Sequence, residues 1–366
     1  MSEEKQICKS FEIKRDNQKN FNFLAVGCWG VYCEEGKKTI IKKKKKGDEI
    51  IIKKEEIIRG QKTVAEIIKH LSSSYNVDTI YLTGDNIYHK SVDENTKEED
   101  IDADYNQYDI EKQIKEGFRD CFINPNLKNY FVIAGNHDAE DCKILERELN
   151  EQSWDFKNLF YNTFFPMEEY DIDVMCIDTN ILELIGNKEL CTLGNSENLK
   201  SKQMDCVQSR ITTIEQSGKP TWKIMVGHIP YKALGHKSDK CIVDNSDLFR
   251  GLIDIYKPHI YISADEHNQQ FLTEIVGDTN VALVVAGSGG TAQDDVKTCN
   301  PNNITQITVK NKTINIPYSY TAFGIPLFQV TKDIIVIDYY NKENNNIKSN
   351  FNVEVFYNHS IITIPV

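Results

Sequence analysis

Residues 79–88 read TIYLTGDNIY: a charge-free run of β-branched, aromatic and aliphatic side chains, then Gly84, then Asp85, Asn86 and Tyr88. A short run of this kind is how a strand covered on both faces reads, and its glycine leaves the polar residues at the carboxyl end. The same grammar recurs in FLAVG at 23–27, YFVIAG at 130–135, WKIMVG at 222–227 and HIYISA at 259–264, with Lys223 the one charge inside them. Between these runs the spacing turns helical. Ile57, Ile58, Val64, Ile67, Ile68 and Leu71 form one amphipathic stretch, and Met204, Val207, Ile211 and Ile214 form another at i, i+3, i+7 and i+10. Repeated strand, helix, strand order predicts an α/β fold. From residue 269 onward the pattern changes to QQFLTEIV, NVALVVAG, FGIPLFQVT, IIVIDYYN and NVEVFYN, which predicts a second, more antiparallel sheet. No Ser/Pro linker divides the chain, so the expectation is one domain of two stacked sheets with helices outside.

The chain has 366 residues, 40% hydrophobic and 27% charged, the composition of a folded globular protein. A formal net charge of −12 argues against a broad polyanion-binding surface, so nucleic acid is not expected as a partner. The first 23 residues carry charges throughout, and no apolar run approaches the roughly 20 residues of a membrane span. A cytoplasmic protein without a membrane partner is therefore expected. Ten cysteines lack CxxC pairing, which counts against a zinc ribbon, and in a reducing compartment they read as small buried hydrophobes. Asn303, Asn311 and Asn358 stand in N-x-S/T triplets and read as surface loops.

The expected division is a tail at 1–20, a body at 21–345 with insertions near 31–53, 92–108 and 297–318, and a C-terminal strand extension at 346–366. Within the first insertion, IIKKKKKGDEIII at 40–52 reads as a β-hairpin turning near Gly47, its lysines solvated. The acidic stretch 92–106 lacks periodicity, and the Asn-rich stretch 300–316 reads as an excursion at the rim.

Four of the strands end in residues able to bind metal: Asp85, Asn86 and Tyr88; Asn136, His137 and Asp138; His228; and Asp265, Glu266 and His267. Ligands at the carboxyl ends of neighbouring strands converge, because such strands lie about 5 Å apart. Oxygen and imidazole donors together suit zinc, iron or manganese. GNHD alone also reads as a turn. GDN, GNHD and GH in that order, each after an apolar run, make a metal cluster the stronger reading.

With these motifs the chain resembles the calcineurin-like metallophosphoesterase superfamily and, within it, the purple acid phosphatases of the small, tartrate-resistant type. The resemblance covers roughly residues 20–340; the tyrosine of GDNIY is its most specific feature, echoed by CIDTN at 176–180 and AGSGG at 286–290. It implies a four-layer α/β/β/α sandwich of two mixed sheets and a metal pair about 3.5–4 Å apart hydrolysing phosphomonoesters. By the same resemblance Asp85 bridges the metals, Tyr88 and His267 bind the first, and Asn136 and His228 bind the second. His137 is then the group that meets the phosphate or protonates the leaving alcohol. His236 is a candidate partner to it, with an exposed loop histidine as the alternative.

Two positions depart from the family pattern. GCWG places Cys28 where an aspartate is expected, and ADEH places Asp265 where a histidine is expected. Thiolate and carboxylate both coordinate metal, so each site still counts four ligands: Cys28, Asp85, Tyr88 and His267, and Asp85, Asn136, His228 and Asp265. Cys28 also reads as a buried bystander thiol. The swaps favour divalent zinc, iron or manganese over a mixed-valence iron pair, and extra ligand charge raises the pKa of bound water, predicting reduced activity. Two functions follow from this. One is a phosphoesterase holding two divalent ions. The other is a lapsed enzyme, with one ion or none, serving as a binding or structural component whose insertions meet protein partners. A nucleotide phosphodiesterase fits less well, given Tyr88 and the missing DxH pattern.

Overall fold

The computed structural model describes residues 9–15, 18–30, 40–45, 48–88, 110–156, 158–182, 196–235, 242–290, 306–309, 312–320 and 322–364. In chain order its elements begin β1 (Lys9–Glu12), β2 (Phe21–Val26), β3 (Ile40–Lys45), β4 (Asp48–Lys53), α1 (Lys54–Ser74) and β5 (Thr79–Leu82). Next come α2 (Ile110–Lys112), which runs into a π-helical segment (Gln113–Arg119), β6 (Asn129–Val132), α3 (Asn136–Ala139), α4 (Cys142–Leu149), β7 (Tyr161–Pro166) and β8 (Asp171–Cys176). Then follow α5 (Ser196–Ser217), β9 (Thr221–Val226), β10 (Lys232–Leu234), β11 (Ile242–Asp244), α6 (Ser246–Tyr256) and β12 (Ile260–Ser263). The chain finishes with β13 (Gln269–Val276), β14 (Thr279–Ala286), β15 (Gln306–Val309), β16 (Lys312–Tyr320), β17 (Gly324–Val330), β18 (Ile334–Glu343), β19 (Asn346–Phe356) and β20 (Ile361–Ile364).

Alternation along each strand builds the layers. In β2, Phe21, Phe23 and Ala25 face one way, and Leu24 and Val26 the other. The first set meets Phe165, Trp222, Ile262 and Phe328 in an apolar slab between two sheets, where Phe23 stacks on Phe328 at 4.5 Å. The second set packs beneath α1 through Val64, Ile67, Ile68 and Leu71. Strand β9 divides likewise, with Trp222, Ile224 and Val226 in the slab and Met225 on the helix side. Burying each such side chain contributes roughly 1.5–3 kcal/mol, so apolar surface on both faces of each sheet holds the four layers of structure together. The expected α/β/β/α sandwich is thus observed.

One sheet runs β20-β19-β18-β17-β2-β5-β6, the other β1-β7-β8-β9-β12-β14-β13-β16-β15. Strands β2, β5 and β6 are parallel neighbours in the first, and β8, β9, β12 and β14 in the second. Their carboxyl ends form the rim that carries the polar motifs.

The strands after residue 269 do not form a sheet of their own, contrary to expectation. β13 to β16 extend the nine-stranded sheet, and β17 to β20 extend the seven-stranded one. Strand β14 pairs parallel with β12 at Ile260↔Ala282 to Ser263↔Val285, so NVALVVA is an interior strand. Residues 9–12, expected in a tail, pair with β7, and β15 and β16 form a hairpin on the sheet edge within the expected Asn-rich excursion. The hairpin at 40–52 is present as β3 and β4, with Ile41 opposite Ile52. The acidic stretch 92–106 and His236 lie outside the described residues.

The cysteines do not all remain thiols. Cys28, Cys121 and Cys176 are reduced, whereas Cys142 and Cys206 are disulfide-bonded. Among the described residues no helix is long and apolar enough to cross a membrane.

Candidate metal centre

Cys28 follows β2, Asp85 and Tyr88 follow β5, and Asn136 opens α3 just after β6. His228 follows β9, and Asp265 and His267 follow β12. Both sheets thus deliver residues to one rim. Gly84 and Gly135 let the loops close: Gly84 has φ of 89°, and a Cβ on Gly135 would meet Asp85 N and Oδ1 at 2.2 Å. Three polar residues take the left-handed backbone usually left to glycine, Cys28 at φ 55°, Asp85 at 54° and Asp265 at 61°. Non-glycine residues held this way cluster at functional sites, where the surrounding fold over-determines them.

Two groups of donor atoms result, Cys28 with Asp85 and His267, and Asp85 with His228 and Asp265; within each, the atoms lie within 4.8 Å of one another. Asp85 belongs to both. Its Oδ2 is 3.9 Å from Cys28 Sγ, and its Oδ1 is 3.2 Å from His228 Nε2. Asn136 Oδ1 lies 3.1 Å and Asp265 Oδ1 3.8 Å from the same His228 nitrogen. His228 Nδ1 donates to Thr83 O at 2.8 Å, which turns Nε2 toward these three oxygens. On the other side Tyr88 OH and His267 Nε2 are 3.3 Å apart. Three oxygens converging on one imidazole nitrogen, beside a thiol, carboxylate, phenol and imidazole, are a donor set that fits a pair of divalent cations.

Electrostatics follow from this crowding. Burial acts to raise the Asp85 pKa, but the His228 and His137 charges and hydrogen bonds outweigh it and hold the carboxyl well below its usual range. Burial acts to lower the His228 pKa, and Asp85 and Asp265 overcome it, so His228 is held protonated when no cation is bound. A cation held here would take the place of that proton.

All seven expected ligands, Cys28, Asp85, Tyr88, Asn136, His228, Asp265 and His267, gather at this rim. His137 stands over it, its ring 4.6 Å from Tyr88, its backbone N donating to Asp85 Oδ1 at 3.1 Å, and its side chain 33% exposed. Its Nδ1 lies 3.4 Å from Glu140 Oε2; burial would lower its pKa, and Glu140 and Asp85 raise it instead.

Three residues considered as donors do other work. Asp138 accepts from Asn86 N, Ile87 N and Gly135 N at 3.0, 2.9 and 2.7 Å, so it ties the GDNIY loop to the GNHD loop. Asn86 accepts from Trp29 Nε1 at 3.1 Å and donates to Ile133 O at 2.9 Å. Glu266 is buried, its carboxylate packed toward Gly235. Behind Asp138 sits Glu148, fully buried and held protonated by burial and by the Asp138 charge. Its signal in the sequence was its place on the apolar face of α4 with Ile144 and Leu145.

The calcineurin-like phosphoesterase family model matches residues 21–269, the span that contains all of these loops up to His267. Purple acid phosphatase 17 of Arabidopsis thaliana is 20% identical over 274 residues, 72% of this chain and 71% of that protein. Among solved structures, GAP50, the anchor in the inner membrane complex of Plasmodium, aligns with a TM-score of 0.60 at 15% identity, covering 91% of this chain and 89% of that one. The purple acid phosphatase PPD1 from yellow lupin (Lupinus luteus) seeds aligns with a TM-score of 0.58 at 12% identity, covering 91% of this chain and 53% of that one. The structural likenesses speak for the four-layer fold. With more than half its length matched by the family model, this chain belongs to the calcineurin-like phosphoesterase family.

Proposed function

We propose that the chain is a metal-dependent phosphoesterase that hydrolyses phosphomonoesters. The observation that carries this reading is the sharing of Asp85, one oxygen toward Cys28 and the other toward His228. Cys28, Asp85, Tyr88 and His267 would hold one cation, and Asp85, Asn136, His228 and Asp265 the other. When bound, the ions supply Lewis acidity and an acidified water. The residues do the rest. Thr83 O fixes the His228 ring, the αL turn at Asp85 presents both its oxygens, and His137, partly exposed and with its pKa raised by Glu140 and Asp85 against burial, can give a proton to the leaving oxygen. Thiolate and extra carboxylate favour zinc, ferrous or manganous ions and slow turnover relative to an Asp/His pattern.

Metal analysis of the purified, metal-supplemented chain together with aryl phosphate turnover tests this. The expected result is up to two ions per chain and measurable hydrolysis, with Asp85→Asn losing metal and at least about a hundredfold in rate. A wild-type chain with neither metal nor turnover overturns the reading.

The two ligand departures favour a second reading, a catalytically lapsed member in a larger assembly, with the insertions at 31–53 and 92–108 as contact surfaces. GAP50, whose structure aligns across most of both chains, is named as an anchor. Asp85→Asn would then leave the biological role intact.

We infer a second compartment reading beside the cytoplasm expected from the sequence. Cys142 and Cys206 in disulfide form support an oxidising compartment.

A further inference from the structure

The corner that follows β8, Asp178-Thr179-Asn180, reaches two of the loops that carry the second site, those of His228 and Asn136. Gln203 of α5 brackets Asp178, its Oε1 accepting from Asp178 N at 2.8 Å and its Nε2 donating to Asp178 O at 3.2 Å. Asp178 Oδ1 accepts from Asn180 N at 2.8 Å, and Leu182 N donates to Thr179 O at 3.1 Å, so the tripeptide is held from both ends. All three residues are at most 4% exposed.

Two bonds leave this corner toward the rim. Thr179 Oγ1 accepts from Ile229 N at 3.3 Å, one residue past His228. Asn180 Nδ2 donates to Gly135 O at 3.1 Å, one residue before Asn136. His228 follows a strand of the nine-stranded sheet and Asn136 a strand of the seven-stranded one. The distance between these two donors is therefore a distance between sheets, and apolar packing between sheets does not specify it to the tolerance a metal site needs.

Asn180 also carries an unfavourable feature. Its Oδ1 is buried with no hydrogen-bond partner among the described residues. An apolar residue of similar shape would avoid that penalty, so what the amide adds at this position is the bond its Nδ2 makes to Gly135 O.

We propose that Thr179 and Asn180 are positioning residues that fix His228 against Asn136 and thereby set the affinity of the second metal site while leaving the first alone. The inference rests on the metal-centre reading. It extends that reading to residues that touch neither metal nor substrate.

Calorimetric titration of the metal-free chain with Mn²⁺ or Co²⁺ tests it, with the Cys28 thiolate-to-cobalt absorption band reporting the first site separately. Asn180→Leu and Thr179→Val are expected to weaken one of two binding steps about tenfold, within the range for partners behind a metal ligand, and to leave the thiolate band unchanged. Thr179→Ser keeps the hydroxyl and is expected to restore native affinity. Thermal melts of the metal-free variants check folding, and Asn180→Leu is expected to melt no lower than wild type. Two native-strength binding steps in both variants would overturn the inference and leave the metal centre standing. Loss of the thiolate band along with the second step would assign the corner to general folding and also overturn it. A wild-type chain that binds no metal would remove the metal centre itself.

Discussion

Cys28 and Asp265 end strands of opposite sheets, yet both hold a left-handed backbone, with φ of 55° and 61°. The residues before them nearly touch: a Cβ on Gly27 would come within 2.4 Å of Ala264 Cβ. The two positions that depart from the family pattern thus sit back to back across the sandwich, each in a conformation that costs a non-glycine residue about 1–2 kcal/mol.

That cost separates site function from stability. Asp265→Gly relieves the backbone while losing the contact to His228 at 3.8 Å. Its metal-free stability is expected within about 1 kcal/mol of wild type, whereas stabilisation by added Mn²⁺ falls. Denaturant unfolding with and without the ion measures both.

Reverting the two departures should speed hydrolysis. Cys28→Asp with Asp265→His replaces a thiolate and a carboxylate by the family's carboxylate and imidazole, and Asp tolerates the left-handed region better than Cys. Aryl phosphate turnover is expected to rise about tenfold or more, equivalent to about 1.4 kcal/mol of barrier. Equal rates in steady-state assays would mean that these ligands do not limit turnover.

Acid should loosen the end of the sandwich opposite the rim. His259 is buried against Trp222, stacks on His359 at 4.1 Å, accepts from Lys223 N at 3.1 Å and packs on Tyr357. Burial first, then His359 and Lys223, depress its pKa to about 3, and His359 shifts the same way. The unfolded chain binds this proton near pH 6.5 and the folded chain does not. Stability is therefore full above about pH 6.5 and declines as pH falls toward 3, by up to about 4–5 kcal/mol from this residue. His259→Gln is expected to flatten that part of the stability curve relative to wild type.

Reduction should weaken the fold at two places. Cys142 begins α4 next to the GNHD loop, and Cys206 lies buried in α5. Treatment with reductant is expected to lower stability by about 2–5 kcal/mol per lost bridge, and peptide mapping without reduction should find both residues cross-linked. Free thiols at both positions in protein from its native source would restore the cytoplasmic reading.

Legibility varied with the range of the interaction. TIYLTG, YFVIAG and WKIMVG announced their strands because a strand covered on both faces must be apolar along its length, and Gly84 and Gly135 marked where loops pass close. The late strands misled because antiparallel patterning says that neighbours exist without saying which. NVALVVA reads as a hairpin arm and is one, but its other edge pairs parallel with β12. Asp138 and Asn86 were visible as polar residues in the right motifs. Their work as ties rather than donors depends on Gly135 N, Ile87 N and Trp29 Nε1, which other segments bring.

From residue order alone came the alternation of strands and helices, the two apolar faces of each strand, and the polar endings at 85, 136, 228 and 265, because each follows from local periodicity and side-chain chemistry. Only the folded sandwich put distances on the sharing of Asp85 that the resemblance implied, and decided that Thr179 and Asn180 bind the loops of opposite sheets and which cysteines are bridged. Those are distances between segments far apart in the chain, and the closing of two sheets on a common core is what makes them short.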